Sequence, residues 1–385
     1  MGPLAGIKVI EIAAMGPVPF AGMALADMGA EVIRVDRTEA ADLGIQKPVE
    51  FELRARGKRS VALDLKSEQG RALFLDLVAQ ADIVLEGWRP GVADRLGIGY
   101  EACAKANPAV VYGKATGWGS EGPLAKTAGH DINYIALSGA LSMIGPQGGA
   151  PVPPLNLVGD YGGGAMYLAF GVLCAHLEAK SSGQGQIVDA AMLDGVNALL
   201  AVFYGFHAAG QLSPERGGNI LDGGAPYYTT YQTRCGGYLA VGCIEPKFYA
   251  TFLKVLGLDP ADLPAQNDRA RWPELRARLA LAIAARDRDD WAALFEPTDA
   301  CVTPILALHE APAHPHNQAR NATFSLGGIT HPSPAPRFSR SRHEVTLPPA
   351  REGQNSRAVL VDWGIAPERI EAGLASSAIR QPQEA

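Results

Sequence analysis

GIKVIEIAAMGPVPFAGMALADMGAEVIRVDR, residues 6–37, is the stretch that decides the fold of this chain. Residues 6–14 form a short run rich in β-branched side chains. Residues 20–29 carry apolar side chains at helical spacing and end in a glycine, and residues 31–37 form another β-branched run. A strand, a helix and a strand in this order predict a β-α-β unit, in which the two strands lie parallel in one sheet.

The same alternation continues along the chain. After the first unit, helical and strand-like runs follow in turn up to about residue 209. They are a helix at 69–80 with Ser67 as its cap, a strand at 82–88, a helix at 99–107, a strand at 109–118, a helix at about 162–180, a strand at 185–190 and a helix at about 191–209. This rhythm predicts an α/β fold with a mostly parallel sheet covered by helices, Rossmann-like in outline.

The pattern changes near residue 222. Residues 225–244 hold two alternating runs joined by Cys235, Gly236 and Gly237, which is typical of a β-hairpin. The segments after it are interpreted as helices at 245–257 and 289–295, a strand at 300–308, an extended linker at 309–350 and a last helix at 356–365. This part of the chain therefore predicts a second, smaller α+β domain.

Composition excludes several classes of protein. The 385 residues carry a net charge of −6 without a run of Lys or Arg, which argues against a nucleic-acid binder. The five cysteines are widely spaced and form no CxxC pair, so we expect free thiols, no metal site and a reducing, cytoplasmic compartment. The most apolar stretches, 165–177 and 192–210, are interpreted as buried helices, so we expect no membrane span.

A dinucleotide site is not indicated. GWGSEG, residues 117–122, matches the GxGxxG pattern, but Pro123 follows directly and no helical run opens there. The first β-α turn, residues 13–20, has two prolines and lacks the glycine spacing of the dinucleotide fingerprint.

Candidate ligand contacts follow two of the predicted strands. Asp36 and Arg37 end the second strand, where a carboxylate would suit a ribose and a guanidinium an adenine face or a phosphate. Trp88, Arg89 and Arg95 follow another strand and would suit a nucleotide diphosphate. Solvated strand ends explain both groups equally well.

His130 and Asp131 stand side by side before an apolar helical run. His130 has three interpretations: a histidine satisfied by local hydrogen bonds, a metal ligand, for which partners at ligand spacing are missing, or a catalytic base. The side chain of Asp131 is interpreted as the cap of the helix. Its backbone N–H, at a helix N-terminus, could also point at an anionic oxygen.

Two further carboxylates precede predicted helices. Asp160 stands before three glycines, each of which costs roughly 1 kcal/mol in a helix relative to alanine, so we expect something to approach the backbone closely there. We favour a ligand-facing role for Asp160 over a helix cap. Glu245 is a poor cap before Pro246, which leaves a helix-dipole role or a carboxylate in a cleft.

In combination, these residues resemble the α-methylacyl-CoA racemases of the family III CoA-transferase superfamily. The segments that carry the resemblance are GPVPFAGMALADMGAEVIRVDR, EGWRPGVADRLGIGYE, TGWGSEGPLAKTAGHDINYIALSG, PPLNLVGDYGGG, GQIVDAAMLDG, NILDGGAPYYTTYQT, AVGCIEPKFY and DACVTPIL, between about residues 3 and 340. AGHDINY together with LDGGAPYYTTY and IEPKFY is the most specific combination.

The resemblance implies a fold and an assembly. It implies a Rossmann-like large domain built from both chain ends, a small α+β domain, and two such chains interlocked as a homodimer with shared active sites. The implied bounds are 1–195 with 341–385 for the large CoA-binding domain, 226–308 for the small domain, and 196–225 and 309–340 for the linkers.

The resemblance also assigns roles residue by residue. His130 matches the catalytic histidine, Asp160 the catalytic aspartate, Glu245 a carboxylate that pairs with the histidine across the dimer, and Asn156 a hydrogen-bonding residue near the site. The implied CoA contacts are Arg37, Leu63, Asp64, Leu65, Lys66, Gly87, Trp88, Arg89, Arg95, Gly129, Ile132, Asn133 and Tyr134, along with the neighbouring His130 and Asp131.

The implied activity is inversion at C2 of a 2-methylacyl-CoA thioester. Inversion requires a base on each face of C2 and stabilisation of the enolate between them. We expect His130 with Glu245 on one face, Asp160 on the other, and the backbone N–H of Asp131 at the enolate oxygen. CoA is part of the acyl-CoA substrate, so no separate cofactor or metal is expected.

Two alternatives remain open. In a family III CoA-transferase, Asp160 would attack the thioester as a nucleophile and form a mixed anhydride. A CoA-binding scaffold without catalysis would need only the arginines and the crevice, and would have no use for His130, Asp160 and Glu245 together.

Overall fold

The computed structural model describes residues 1–39, 45 and 47–382 of the chain. The chain forms two compact units. Unit 1 comprises Met1–Ser138, Leu155–Leu199 and Asn321–Ala385, and unit 2 comprises Gly139–Pro154 and Leu200–Arg320. Both chain ends therefore belong to unit 1, whereas residues 139–154, which fall inside the large-domain range drawn from the sequence, belong to unit 2.

The strands are numbered in chain order. They are β1 (Lys8–Ile12), β2 (Glu31–Asp36), β3 (Lys58–Leu63), β4 (Ile83–Glu86), β5 (Val111–Thr116), β6 (Ile187–Ala191), β7 (Tyr228–Gln232), β8 (Tyr238–Gly242), β9 (Val302–Pro304), β10 (Thr323–Leu326), β11 (Ile329–Pro332) and β12 (Ile379–Arg380).

The helices are numbered in the same way. They are α1 (Pro17–Asp27), α2 (Glu68–Val78), α3 (Val92–Arg95), α4 (Tyr100–Ala106), α5 (Asp131–Leu137), α6 (Met166–Ser182), α7 (Met192–Leu199), α8 (Ala201–Ala208), α9 (Pro246–Leu256), α10 (Trp272–Ile283), α11 (Arg288–Phe295), α12 (Pro315–Ala319), α13 (Ser356–Asp362) and α14 (Pro367–Ala375). A π-helical segment, Leu157–Ala165, runs directly into α6.

Unit 1 is built on one sheet of seven strands in the order β12-β3-β2-β1-β4-β5-β6. All neighbours pair in parallel except β12, which pairs antiparallel with β3. The expected α/β fold with a mostly parallel sheet is confirmed. The strand order reverses between β1 and β4, and ligands of such sheets bind at the carboxyl ends of the strands flanking this point.

Two apolar cores cover the faces of this sheet. Ile10, Ile33 and Val84 belong to one cluster of buried side chains, and Val9, Val32 and Ile83 belong to the other. Successive residues of a strand point to opposite faces, so a strand buried on both faces is a nearly continuous apolar run. This is why β1, β2 and β4 are visible in the sequence.

Strand β3 is missing from the sequence interpretation. Its sequence, KRSVAL, begins with three polar residues, yet Lys58 and Ser60 are almost completely buried. Lys58 donates to Glu11 Oε2, on β1, at 2.5 Å and Ser60 donates to Asp36, on β2, at 2.6 Å, so both find partners on other strands of the sheet. Polar side chains satisfied by distant residues leave no apolar run for a sequence pattern to detect.

Several helix starts follow from local chemistry. Ser67 accepts a hydrogen bond from the Gly70 amide at 3.0 Å, as expected for the cap of α2. Prolines occupy the first turns of α1 and α9, where their missing N–H costs nothing. The single helix expected at about 191–209 is two helices, α7 and α8, that meet at Leu200.

Unit 2 contains the expected hairpin. Strands β7 and β8 pair antiparallel, and β9 adds a third strand to β8. Helices α9, α10 and α11 supply Phe252, Leu275 and Phe295 to the apolar core beneath this sheet. The segments expected to be linkers are partly structured: α8 lies in the first, and the hairpin β10-β11 lies in the second as part of unit 1.

One helical stretch in the described chain, Leu157–Ser182, is long and apolar enough to cross a membrane by length and composition alone. Its most apolar 18-residue window has a mean hydropathy of 1.2, and 39% of that window is buried. Leu168, Val172 and His176 face the sheet of unit 1, whereas Phe170 and Leu177 are each 68% exposed. The helix is therefore a core helix on one side and carries an exposed apolar face on the other.

Candidate functional site

A cleft opens in unit 1 where the strand order reverses. It has a volume of about 910 Å³. Nine of the residues predicted to contact CoA line it: Arg37, Leu63, Asp64, Leu65, Lys66, Gly87, Trp88, Arg89 and Arg95. They follow β2, β3 and β4, so the carboxyl ends of adjacent parallel strands bring together residues that lie far apart in the sequence.

This cleft is cationic. Among its described lining residues, four carry positive charge (Arg37, Lys66, Arg89 and Arg95) and two carry negative charge (Glu39 and Asp64). The whole chain is negative, with a net charge of −6. A local excess of guanidinium and ammonium groups at a strand-end crevice is suited to binding phosphate groups.

Trp88 is fixed between the two strands that flank the reversal. Its Nε1 donates to the carbonyl of Ala13 at 3.0 Å, which ties the turn after β4 to the turn after β1. Gly87 permits this approach, since a Cβ there would lie 2.8 Å from Val18 Cγ2. This hydrogen bond holds the Trp88 ring at the wall of the cleft.

A larger cavity of about 1550 Å³ shares Gly87, Trp88 and Arg89 with the cleft. Five further predicted site residues line it: Gly129, His130, Tyr134, Asn156 and Asp160. The structure thus places the two candidate bases, His130 and Asp160, in one cavity that continues into the cationic cleft.

His130 stands at the N-terminus of α5. It is the residue before the helix, in extended conformation, and its side chain is exposed. Its backbone N–H donates to Asn133 Oδ1 at 3.0 Å, so Asn133 fixes the histidine backbone instead of lining the cavity. His130 thus lines the cavity while its backbone is held.

Asp160 lies inside the π-helical segment, not at a helix cap. Its Oδ2 accepts a hydrogen bond from Asn156 Nδ2 at 3.0 Å. The left-handed turn at Gly16, which has φ of 70°, passes so close that a Cβ there would lie 3.8 Å from the Asp160 carboxylate. π-helical turns are frequent at functional sites, and this one presents a carboxylate to the cavity.

The expected side-chain role of Asp131 is wrong. His130, not Asp131, is the cap residue of α5, and Asp131 is its first helical residue. The Asp131 carboxylate is buried and accepts the backbone N–H of Asp160 at 2.7 Å. Burial raises the pKa of this carboxyl, although the hydrogen bond from the Asp160 amide opposes the rise.

The three glycines after Asp160 serve helix packing. A Cβ on Gly163 would lie 2.7 Å from Val196 Cγ2, and a Cβ on Gly164 would lie 2.8 Å from Met192 Cγ. The close approach that the glycines predict is therefore made by α7. This packing holds the π-helical segment against its neighbour and so supports the position of Asp160.

Tyr134 forms part of the wall beside His130. Its ring packs edge-on against Trp118, with ring centroids 4.7 Å apart, and a Cβ on Gly129 would lie 2.8 Å from it. Burial and the nearby charge of Asp160 raise the pKa of Tyr134 to about 12. Gly117, the first glycine of the GWGSEG motif, thus makes room for an aromatic ring, since a Cβ there would overlap Tyr134.

Three further candidate residues differ in their placement. Ile132 is 43% exposed and is absent from the described lining of both cavities. Asp36, a candidate ribose ligand, lies at the wall of the larger cavity, but its carboxylate is almost completely buried and is bound to Arg34 and Ser60. Glu245 precedes α9 in unit 2 and is exposed, so its pairing with His130 stays a prediction.

Sequence analysis missed a polar wall of the larger cavity. Arg54 donates to Glu52 at 2.6 and 2.9 Å and also bonds Tyr161, the neighbour of Asp160. Tyr161 stacks on Phe20 with ring centroids 4.5 Å apart. Burial would raise the pKa of Glu52, but hydrogen bonds from Arg54 and Lys47 lower it to about 2. The contacts of Tyr161 with Arg54 and Phe20 join residues from separate segments, so no local sequence pattern predicts them.

The site offers a specific set of chemical groups. An imidazole and a carboxylate line the cavity, and a cationic crevice adjoins them. Among the described residues, no group of three or more His, Cys, Asp or Glu side chains is placed to hold a metal ion. The arrangement suits proton transfer or nucleophilic attack on a ligand whose phosphorylated arm is held in the crevice.

Comparisons with known proteins agree with this geometry. The chain matches the model of CoA-transferase family III over residues 4–355. It is 43% identical over 370 residues to alpha-methylacyl-CoA racemase of Mus musculus and 38% identical over 372 residues to that of Homo sapiens, and each alignment covers 95% of both chains. A CAIB/BAIF family protein from Brucella suis is similar in structure, with a TM-score of 0.80 and 27% identity, over 94% of this chain and 99% of that chain.

Proposed function

The chain belongs to CoA-transferase family III, and from that premise we propose that it inverts the configuration at C2 of 2-methylacyl-CoA thioesters. The observation that carries the proposal is the pair of candidate bases, His130 and Asp160, that lines one cavity next to a cationic crevice. Full-length similarity to two alpha-methylacyl-CoA racemases supports the same activity.

The mechanism requires two bases because inversion removes a proton from one face of C2 and returns one to the other face. One of the pair, His130 or Asp160, takes the proton, and the other protonates the resulting enolate from the opposite side. For the reverse direction the roles exchange. Glu245 is proposed to orient the His130 imidazole, from the partner chain of a dimer.

The enolate oxygen needs hydrogen-bond donors where charge develops. We propose the backbone N–H of Asp131 for this role, since it is at the start of α5, next to His130. The carboxamide of Asn156 holds the Asp160 carboxylate at 3.0 Å and so fixes which oxygen faces the cavity. CoA enters as part of the substrate, and the proposed proton transfers call for no separate cofactor.

CoA-transfer is the second candidate function, and the name of the matching family favours it. There, one oxygen of Asp160 would attack the thioester carbonyl, CoA thiolate would leave, and a mixed anhydride would form. That chemistry uses one carboxylate and gives no role to an exposed imidazole in the same cavity. His130 is therefore the residue whose position supports racemisation over transfer.

The test is deuterium wash-in at C2. Purified protein is incubated in D₂O with one epimer of a 2-methylacyl-CoA, and C2 deuteration and epimer ratio are measured together. We expect deuterium at C2 and convergence on both epimers. Transfer of CoA to an added free acid, without deuterium at C2, would assign the chain to the transferases instead.

We also propose that the chain works as a homodimer in a reducing compartment, the cytoplasm, and that it is not embedded in a membrane. The apolar stripe on α6, formed by Met166, Phe170 and Leu177, is 49%, 68% and 68% exposed. Exposed apolar surface of this kind fits contact with a second copy. The five cysteines are free, which supports a reducing environment.

A further inference from the structure

We propose that the carboxylate of Asp131 is a positioning residue, which holds the backbone of Asp160 and thereby aims that base at C2. The inference rests on the proposed function, which makes Asp160 a base. The contact itself stands on geometry, since Asp131 Oδ1 accepts the Asp160 N–H at 2.7 Å. This proposal gives the side chain of Asp131 a role in addition to the one proposed for its backbone N–H, which is to donate to the enolate oxygen.

The amide that Asp131 holds would otherwise lack a partner within its own helix. The π-helical segment begins at Leu157, so the N–H groups of its first turn, including that of Asp160, have no carbonyl behind them to bond. An acceptor must come from elsewhere, and the structure supplies it from a residue 29 positions earlier in the chain. Asp131 thus acts as a cap for a helix it does not belong to.

The fit at this contact is tight. Gly159 lies against the Asp131 carboxylate, so that a Cβ there would overlap Oδ1, and it would also lie 3.2 Å from Ile135 Cγ2. The contact therefore requires both an acceptor on α5 and a glycine before Asp160. Asp131 is only 8% exposed, so water is a poor substitute for it.

The consequence for catalysis follows from rigidity. Asp131 is the first residue of α5, next to the candidate base His130, and its carboxylate accepts the backbone N–H of Asp160. The contact couples the two bases, so the spacing between them is set by a short rigid link. A misplacement of about 1 Å between reacting groups can reduce a rate by roughly 100-fold.

The experiment compares Asp131→Asn with Asp131→Ala. Asparagine keeps an oxygen acceptor at the same place, so we expect kcat for C2 inversion to stay within about fivefold of the parent chain. Alanine removes the acceptor, and we expect kcat to fall by roughly 100-fold with little change in KM. Asp259→Ala is the matched control, because Asp259 also accepts one backbone N–H, from Ala261 at 2.9 Å, but lies in unit 2.

A second readout does not depend on activity. Hydrogen–deuterium exchange, followed by mass spectrometry of peptides that cover residues 157–165, reports on the amide that Asp131 holds. We expect exchange there to be roughly tenfold faster in Asp131→Ala and close to the parent in Asp131→Asn and Asp259→Ala. Thermal unfolding checks that each variant is folded.

The two measurements separate the possible failures. If Asp131→Ala exchanges like the parent in this segment, or if Asn and Ala reduce kcat equally, Asp131 does not position Asp160. If the parent chain shows no deuterium wash-in at C2, the proposed function fails, and the exchange data still decide whether Asp131 holds the Asp160 amide.

Discussion

His130 and Asp160 are held in different ways, although both line the larger cavity. His130 has its backbone fixed by Asn133 within the same helix start, at 3.0 Å. Asp160 is held at two points: Asn156, four residues earlier, donates to the carboxylate, and Asp131, 29 residues earlier, accepts the amide. A sequence neighbour thus holds the backbone of one base, whereas a distant residue holds the backbone of the other.

Loss of one base should separate exchange from inversion. In His130→Gln or Asp160→Asn, one face of C2 has no base, so inversion should fall by about 100-fold or more. The remaining base should still exchange the C2 proton of one epimer, the one whose proton lies on the same face of C2 as that base. Deuterium wash-in measured separately for each epimer checks this, and the two variants should exchange opposite epimers. Equal loss of exchange for both epimers would contradict the two-base mechanism.

At the scale of elements, the hairpin β10-β11 is attached to unit 1 by a buried polar cluster. Arg56 donates to Asp27 at 2.6 and 3.0 Å and to the carbonyl of Pro332 at 2.7 Å. His331, on β11, is completely buried between Arg56 and the ring of Phe324. Its Nε2 has no hydrogen-bond partner among the residues that the structure describes.

This cluster predicts a loss of stability in acid. Burial lowers the pKa of His331 below its ordinary value of 6.5, and the positive charge of Arg56 adds to this, against the opposite effect of Asp27. The unfolded chain therefore binds a proton at higher pH than the folded chain, so stability is retained above about pH 6.5 and declines as the pH falls below it.

The measurement is the thermal unfolding midpoint between about pH 5 and 8. His331→Gln removes the titrating group while it keeps polar side-chain atoms, so its midpoint should depend less on pH over this range than that of the parent. His309→Gln is the control, because His309 is exposed and lies in unit 2. An identical slope for the parent and His331→Gln would show that the imidazole does not drive the acid sensitivity.

At the scale of the whole molecule, the proposed pairing of His130 with Glu245 joins two copies of the chain. His130 and Asp160 belong to unit 1, whereas Glu245 belongs to unit 2. A site shared across a homodimer makes a prediction that a site within one chain does not. The pairing of His130 with Glu245 can therefore be tested by mixing variants.

Co-expression of His130→Ala and Glu245→Ala chains should restore activity if Glu245 acts from the partner. Each homodimer lacks a complete site, but the mixed dimer holds one in which an intact His130 meets the intact Glu245 of the other chain. We expect up to half of the parental activity per mixed dimer, isolated with two affinity tags. No recovery in the mixed dimer, with both homodimers inactive, would place Glu245 in the same chain as its histidine.

Local patterns were sufficient for most of unit 1. β-branched runs buried on both faces predict β1, β2 and β4, and the Ser67 cap predicts α2. The specific combination of motifs around His130, Asp160 and Glu245 led to the family, because these motifs keep residue types and spacing that the chemistry needs. Arg37, Trp88, Arg89 and Arg95 line the cleft because they follow recognisable strands and parallel strands end at one edge. The expected contacts Leu63 to Lys66, at the end of the missed strand β3, came from the resemblance alone.

The rest depended on contacts between distant residues. β3 was missed because Lys58 and Ser60 are buried polar groups, whose partners are not visible in a linear pattern. Asp131 was assigned to the wrong helix because a sequence shows which residue begins a helix but not where its side chain points. The three glycines after Asp160 correctly indicated a close approach, but only the packing of α7 identified what approaches.

Sequence alone therefore determined the β-α-β rhythm, the family and the identity of the candidate catalytic groups, since all three are written in residue types at short spacing. Tertiary structure alone decided how the backbone amide of Asp160 is held. A hydrogen bond of 2.7 Å between residues 29 positions apart depends on two helices meeting at a particular angle and distance. That placement is set by the packing of the whole unit, which no stretch of the sequence specifies by itself.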